Sequence, residues 1–169
     1  MVGACAAHVP VRSIPAHVID LRGGRRLSPG VPRGPESLQA GDEIEVSPHA
    51  AFAFTLAGNR VRVAAGRASL RCVPPVRGAG FVLAGQGTLG VGLQSGRVSV
   101  RVGDAPASAL VTSREMIVYP KLAGTRFVVE RRPRARATRA WTLNSEIVAA
   151  STADPALRIN TRITYTAIS

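Results

Sequence analysis

Aromatic side chains are scarce: four Phe, two Tyr and one Trp make up 4% of the 169 residues. Ala and Val dominate the hydrophobic 46%, so the core available to this chain is thin and built from small, often β-branched groups rather than around a bulky pocket. Carboxylates are short as well, 10 against 22 basic residues, for a net charge of +12. Lysine is nearly missing from the basic set, since all but Lys121 are arginines. A basic excess of this size points to a polyanionic partner, although the Arg-over-Lys bias and the Ala content are also what a GC-rich coding sequence produces without selection for binding. No stretch reaches the ~18 uninterrupted apolar residues of a membrane-spanning helix. Met1 is not followed by a charged n-region and an apolar h-region, so neither a transmembrane segment nor an export signal is expected in the chain as given.

Groups that do chemistry are few and scattered. His8, His17 and His49 share no H-x-H or H-x-x-x-H spacing, so no metal centre is expected. No Ser stands in a G-x-S-x-G elbow and neither cysteine has a neighbouring His, which removes the usual signs of nucleophilic catalysis. The densest acidic group is Asp42-Glu43 with Glu45. Glu43 and Glu45 would share one face of a strand about 6–7 Å apart, on a solvated edge. The expectation is a protein that is not an enzyme and carries no cofactor. Cys5 and Cys72 are too far apart for a ligand pair and too few for a disulfide framework. They read as free thiols or one long-range disulfide, and Val2-Gly3-Ala4-Cys5 also resembles the end of a bacterial lipobox, which would make Cys5 a lipid-modified cysteine if a leader lies upstream.

What the chain does have is alternation. Ile44-Glu45-Val46, Phe52-Ala53-Phe54-Thr55-Leu56, Val61-Arg62-Val63, Val98-Ser99-Val100-Arg101-Val102 and Phe127 to Glu130 each place apolar residues at every second position, as half-buried strands do. Turn signals separate them: Gly23-Gly24 as a first hairpin, Gly58-Asn59, Ser95-Gly96 and Gly124-Thr125. Leu157, Ile159, Thr161, Ile163 and Tyr165 predict one final strand. Seven glycines between Gly78 and Gly96 suit tightly curved or stacked strands; the G-x-G-x-x-G spacing at Gly85 to Gly90 has no βαβ pattern around it and is set aside. The whole predicts an all-β fold, an antiparallel β-sandwich or β-roll of many short strands with little or no helix. Residues 1–16 read as an extended N-terminal arm and 17–169 as a single β domain. Phe52, Phe54, Leu56, Val98, Val100, Phe127, Trp141 and Ile163 are the predicted core.

The run Arg131-Arg132-Pro133-Arg134-Ala135-Arg136-Ala137-Thr138-Arg139 holds five arginines in nine residues. Arg131, Arg132, Arg134, Arg136 and Arg139 read either as a polyanion or partner contact or as a solvated loop between strands. With no stacking aromatics and no recognition helix inside the run, specific nucleic-acid binding is not expected.

Several segments, in order, resemble the β-rich FecR domain. They are Gly41-Asp42-Glu43-Ile44-Glu45-Val46, then Leu56-Ala57-Gly58-Asn59-Arg60-Val61-Arg62-Val63, then Ser95-Gly96-Arg97-Val98-Ser99-Val100, then Val111-Thr112 leading to Ala123-Gly124-Thr125-Arg126-Phe127-Val128-Val129. They match the family's GD-x-I opening, its L-x-D/N-G-type hairpin, its SG-x-V-x-V strand and its V-x-T to GT-x-F closure, over about residues 17–165. FecR proteins that regulate iron uptake join this domain to a cytoplasmic segment controlling a sigma factor and to one transmembrane helix, and neither part is expected within the residues given. The resemblance therefore implies a non-catalytic binding module of the cell envelope or extracellular space, contacting a protein partner or an acidic envelope polymer, without the signalling role. The alternative is a structural subunit that self-assembles into a filament, shell or coat through exposed strand edges.

Overall fold

The computed structural model describes residues 9–10, 18–22, 37–38, 43–46, 48–49, 51–56, 58–73, 77–78, 81–82, 88–103, 109–151, 158–161 and 164–168. Every regular element among them is a strand. In chain order these are β1 (Val9–Pro10), β2 (Val18–Arg22), β3 (Ser37–Leu38), β4 (Glu43–Val46), β5 (Ala51–Leu56), β6 (Asn59–Val73), β7 (Arg77–Gly78) and β8 (Phe81–Val82). There follow β9 (Thr88–Arg101), β10 (Val111–Thr112), β11 (Met116–Pro120), β12 (Arg126–Arg132), β13 (Ala137–Thr142), β14 (Ile147–Ser151), β15 (Arg158–Thr161) and β16 (Thr164–Ile168).

Alternating apolar residues make β6 and β9 strands, and their length makes them the spine of the sheet. They pair antiparallel from Arg60↔Arg101 to Val73↔Thr88. Halfway along, the register shifts, with Ala64 opposite Arg97 but Arg67 opposite Ser95. Two residues, Ala65 and Gly66, therefore face one, Gly96, which is the arrangement of a bulge and bends the ribbon. Gly96 sits at φ +85°, where a Cβ would stand 2.5 Å from the Ala64 carbonyl oxygen, and a Cβ on Gly66 would overlap the Ser95 carbonyl. Only glycine fits such an approach. Ser95-Gly96, expected as a turn, is thus a bend inside one continuous strand.

On either side of the bend the ribbon carries a different set of neighbours. The first wing runs β5, the start of β6, the end of β9, β12, β13 and β16. The second runs β2, β4, the end of β6, the start of β9, β10, β11, β14 and β15. All these pairs are antiparallel except β9 with β10, which run parallel with Val111 opposite Val91, so the predicted antiparallel sheet is a mixed one. Two small sheets, β1 with β3 and β7 with β8, stand apart.

Inward residues of both wings meet in a single core. Phe52, Phe54, Leu56, Val61, Val63, Val98, Val100, Phe127 and Val129 come from the first wing, and Ile44, Val46, Leu70, Val91, Leu93, Met116, Val118 and Ile147 from the second. A smaller cluster of Leu110, Tyr119 and Val148, with Ile117 against it, buries the other face of β11 and β14. That explains why Ile147-Val148-Ala149-Ala150 is apolar without alternation, as in a strand covered on both sides.

Two expectations change. Trp141 is not in the core: within β13 the inward positions are Thr138 and Ala140, both fully buried, and the indole lies half-exposed on the outer face. Residue size misled there, because a thin sandwich takes Ala inside. The single final strand is two, since β15 extends β14 in one wing while β16 extends β13 in the other. The hairpin expected at Gly23-Gly24, together with Ile163 and Cys5, lies outside the described residues, and β2, which precedes those glycines, pairs with β4.

Phe127 is fully buried and Trp141 is not. Phe127→Ala is expected to cost about 3–5 kcal/mol in urea unfolding, and Trp141→Ala distinctly less than that, with an unchanged m-value.

Candidate partner-binding face

Residues directly opposite each other on neighbouring strands lie on the same side of a sheet, so the outer face of the first wing can be read row by row. One row is Thr55, Arg60, Arg101 and Arg126. The next is Ala53, Arg62, Ser99, Val128 and Trp141, and the third is Ala51, Ala64, Arg97, Glu130, Arg139 and Thr166. Arg132, Ala137 and Ile168 form the fourth. Among the described residues, seven arginines on this face (Arg60, Arg62, Arg97, Arg101, Arg126, Arg132 and Arg139) are exposed, against one carboxylate, Glu130.

That carboxylate organises one end of the face. Arg97 donates to Glu130 Oε2 at 2.8 Å and Arg132 to Oε1 at 3.1 Å. Burial raises the Glu130 pKa, but the Arg97 hydrogen bond and the charges of Arg132 and Arg97 outweigh it and hold the carboxyl below its ordinary value. Beside it, the guanidinium carbons of Arg97 and Arg139 lie 5.5 and 5.4 Å from the centre of the Trp141 ring, within cation–π range.

Arg131 points the other way. Its Nε and Nη2 donate to Glu115 Oε2 and Oε1, both at 3.0 Å, and its Nη1 donates to the Gln94 carbonyl at 2.7 Å. Thr138 donates to Glu115 Oε2 at 2.6 Å and shares a 2.8 Å hydrogen bond with Ser113. The Ser113 hydroxyl in turn accepts the Met116 amide at 3.1 Å, closing the loop between β10 and β11. The ion pair is desolvated, with side-chain exposures of 11% for Arg131 and 1% for Glu115. It sits at the fork where β9 leaves β10 and takes up β12, next to a cleft of about 360 Å³ bordered by Ser69, Gln94, Thr112, Ser113 and Arg114. A second cleft, about 550 Å³, opens between the turns at 121–125 and 142–146, where exposed Leu122 and Leu143 flank Lys121 and Glu146. Among the described residues no three His, Cys, Asp or Glu side chains come together.

The five arginines singled out in the sequence do not form one patch. Arg131 is a half-buried structural cation paired with buried Glu115, a correction that follows from its inward parity with Phe127 and Val129. Arg134 and Arg136 lie in the exposed turn between β12 and β13, and Arg132 and Arg139 belong to the outer sheet face. Sequence reasoning missed Arg60, Arg62, Arg97, Arg101 and Arg126. Their signal was present as Arg-Val-Arg-Val and Arg-Val-Ser-Val-Arg alternation, where every second residue is an arginine or a small polar residue. Glu115 gave no local signal, because its partners come from strands far along the chain.

Breaking a buried pair leaves an uncompensated charge. Arg131→Met is expected to lower stability by about 3–5 kcal/mol, and the double variant Arg131→Met/Glu115→Leu to recover much of that loss in urea unfolding. Glu130, with its folded pKa depressed, adds stability that is present above the unfolded-state carboxylate pKa and lost as pH falls through the folded one. Glu130→Gln should therefore flatten the acid limb of the stability–pH profile and leave the limb above neutrality unchanged.

No protein-family model and no curated protein matches the sequence. The fold does have counterparts among solved structures. Two crystal structures of a candidate anti-sigma factor from Parabacteroides distasonis superpose with TM-scores of 0.52 and 0.51, at 14% and 16% identity. Each comparison covers 73% of this chain and 53% of the other, so this chain spans about half the length of those proteins. At such identities the likeness is one of fold.

Proposed function

We propose that this chain is a non-catalytic contact module of FecR type, acting in or beyond the cell envelope and engaging its partner through the outer face of the first wing. The observation that carries the reading is the composition of that face, where the described residues are seven exposed arginines and a half-buried tryptophan against one carboxylate. Arg and Trp are the side chains that concentrate binding energy at interfaces. They stand here on paired strands, which hold a contact surface more firmly than loops do. The fold likeness to anti-sigma proteins supports a module that works by contact, and the scattered carboxylates and histidines of the sequence support a role other than catalysis.

A module of this kind stays a single chain until its partner arrives, because the basic face repels its own copies. Light scattering coupled to gel filtration should give a monomer both near 0.05 M and near 0.5 M salt, concentrations that span weak and strong screening of the face. A large assembly at both salts would overturn this reading in favour of a self-assembling structural subunit.

A further inference from the structure

The row Arg60, Arg101 and Arg126 sets three like charges directly across adjacent strands, which are ~4.8 Å apart. All three are exposed, and among the described residues no carboxylate pairs with any of them. Like charges in directly opposed positions destabilise a sheet. Elsewhere on the same face the cost is relieved, as Glu130 does for Arg97 and Arg132. That row, with Arg62 beside it, is a surface without a counter-charge among the described residues.

We propose that this face binds a linear acidic polysaccharide, with Arg60, Arg62, Arg101 and Arg126 holding its carboxylates; the proposal rests on the reading of the face as a contact surface. Cations repeat there at two spacings, ~4.8 Å across strands and about 6–7 Å along one strand. A polymer that carries an acid group on every unit or every second unit can place successive oxyanions on such a lattice in many registers. The planar guanidinium fork takes a carboxylate through two parallel hydrogen bonds, which the ammonium of lysine cannot do. The one aromatic of the face, Trp141, already has Arg97 and Arg139 against its ring. A single-stranded nucleic acid gains much of its affinity by stacking bases on several open aromatic faces, and the described residues of this face offer one tryptophan with two arginines against it, so a polymer without bases fits it better.

Trp141 is the sole tryptophan of the chain and reports on the face directly. Titration with alginate, a polyuronate, should change its fluorescence, reversibly with salt, while neutral dextran leaves it unchanged. The triple variant Arg60→Ser/Arg101→Ser/Arg126→Ser should bind alginate about tenfold more weakly, three exposed ion pairs being lost, and Arg134→Ser, in the turn, should bind as the parent does. Without polymer the triple variant should unfold at or above the parent's temperature, because repulsion has been removed; the single variant Arg62→Ser, about twofold weaker, gives a second reading. Equal affinity for parent and triple variant, a lower unfolding temperature for the triple variant, or no alginate binding at low salt would each overturn the proposal. So would tighter binding of poly-dT or of polyglutamate at equal charge concentration, which would assign the face to nucleic acid or to an acidic protein. A monomer that ignores alginate defeats this inference alone, whereas a salt-independent assembly defeats the module reading.

Discussion

Pairing between β6 and β9 runs from Arg60↔Arg101 to Val73↔Thr88, and each of these strands is longer than either wing needs. The surplus length lets one ribbon serve two sheets, provided it can turn between them. The turn is made at Ala65, Gly66 and Gly96, where two residues oppose one and the backbones approach more closely than any side chain would allow. Strands β5, β12 and β13 then build outward from one half, and β4, β10 and β11 from the other. The irregularity also resets parity: Val61 and Val63 of β6 point inward before it and Ala68 and Leu70 after it, which in an uninterrupted strand would lie on opposite faces.

Inside and outside are separated by a single step along the chain, and β12 shows this most plainly. Arg131 turns inward to Glu115 and the Gln94 carbonyl, closing the fork between the wings, while Arg132 turns outward to Glu130. One residue type therefore does two different jobs at adjacent positions. Inside, its charge is met by the Glu115 carboxylate and the Gln94 carbonyl. Outside, most of its kind remain uncancelled. The stability of the fork and the charge of the outer face thus rest on the same strand, though through opposite sides of it.

Strand identity was legible wherever large apolar residues alternate with polar ones, as in Phe52-Ala53-Phe54-Thr55-Leu56, because the period of two is local. Burial was less legible where size and side disagreed: Trp141 is the largest residue of β13, yet its parity puts it outside and Ala140 inside. Connections were hardest to read. Ser95-Gly96 looks like a turn in any local window, and only the register with Ala64 and Arg67 shows it to be a bend. The basic face was hidden for a similar reason. Arg60, Arg101 and Arg126 are far apart in sequence and become one row only through the register of three strands, whereas the run from Arg131 to Arg139 is conspicuous locally and is split by the fold among a buried ion pair, a turn and the outer face.

The shared ribbon also matters while the chain is being made. It can form once Arg101 has been added, but β12, which covers the other edge of β9 at residues 96–101, ends only at Arg132. Over that interval a ready strand edge lies open, the kind of template on which nascent copies join. Arg97 and Arg101 stand on that edge strand, with Arg60 and Arg62 on its neighbour, and like charges on an open edge disfavour pairing with a second copy. The same charges that mark the finished surface thus guard the unfinished one.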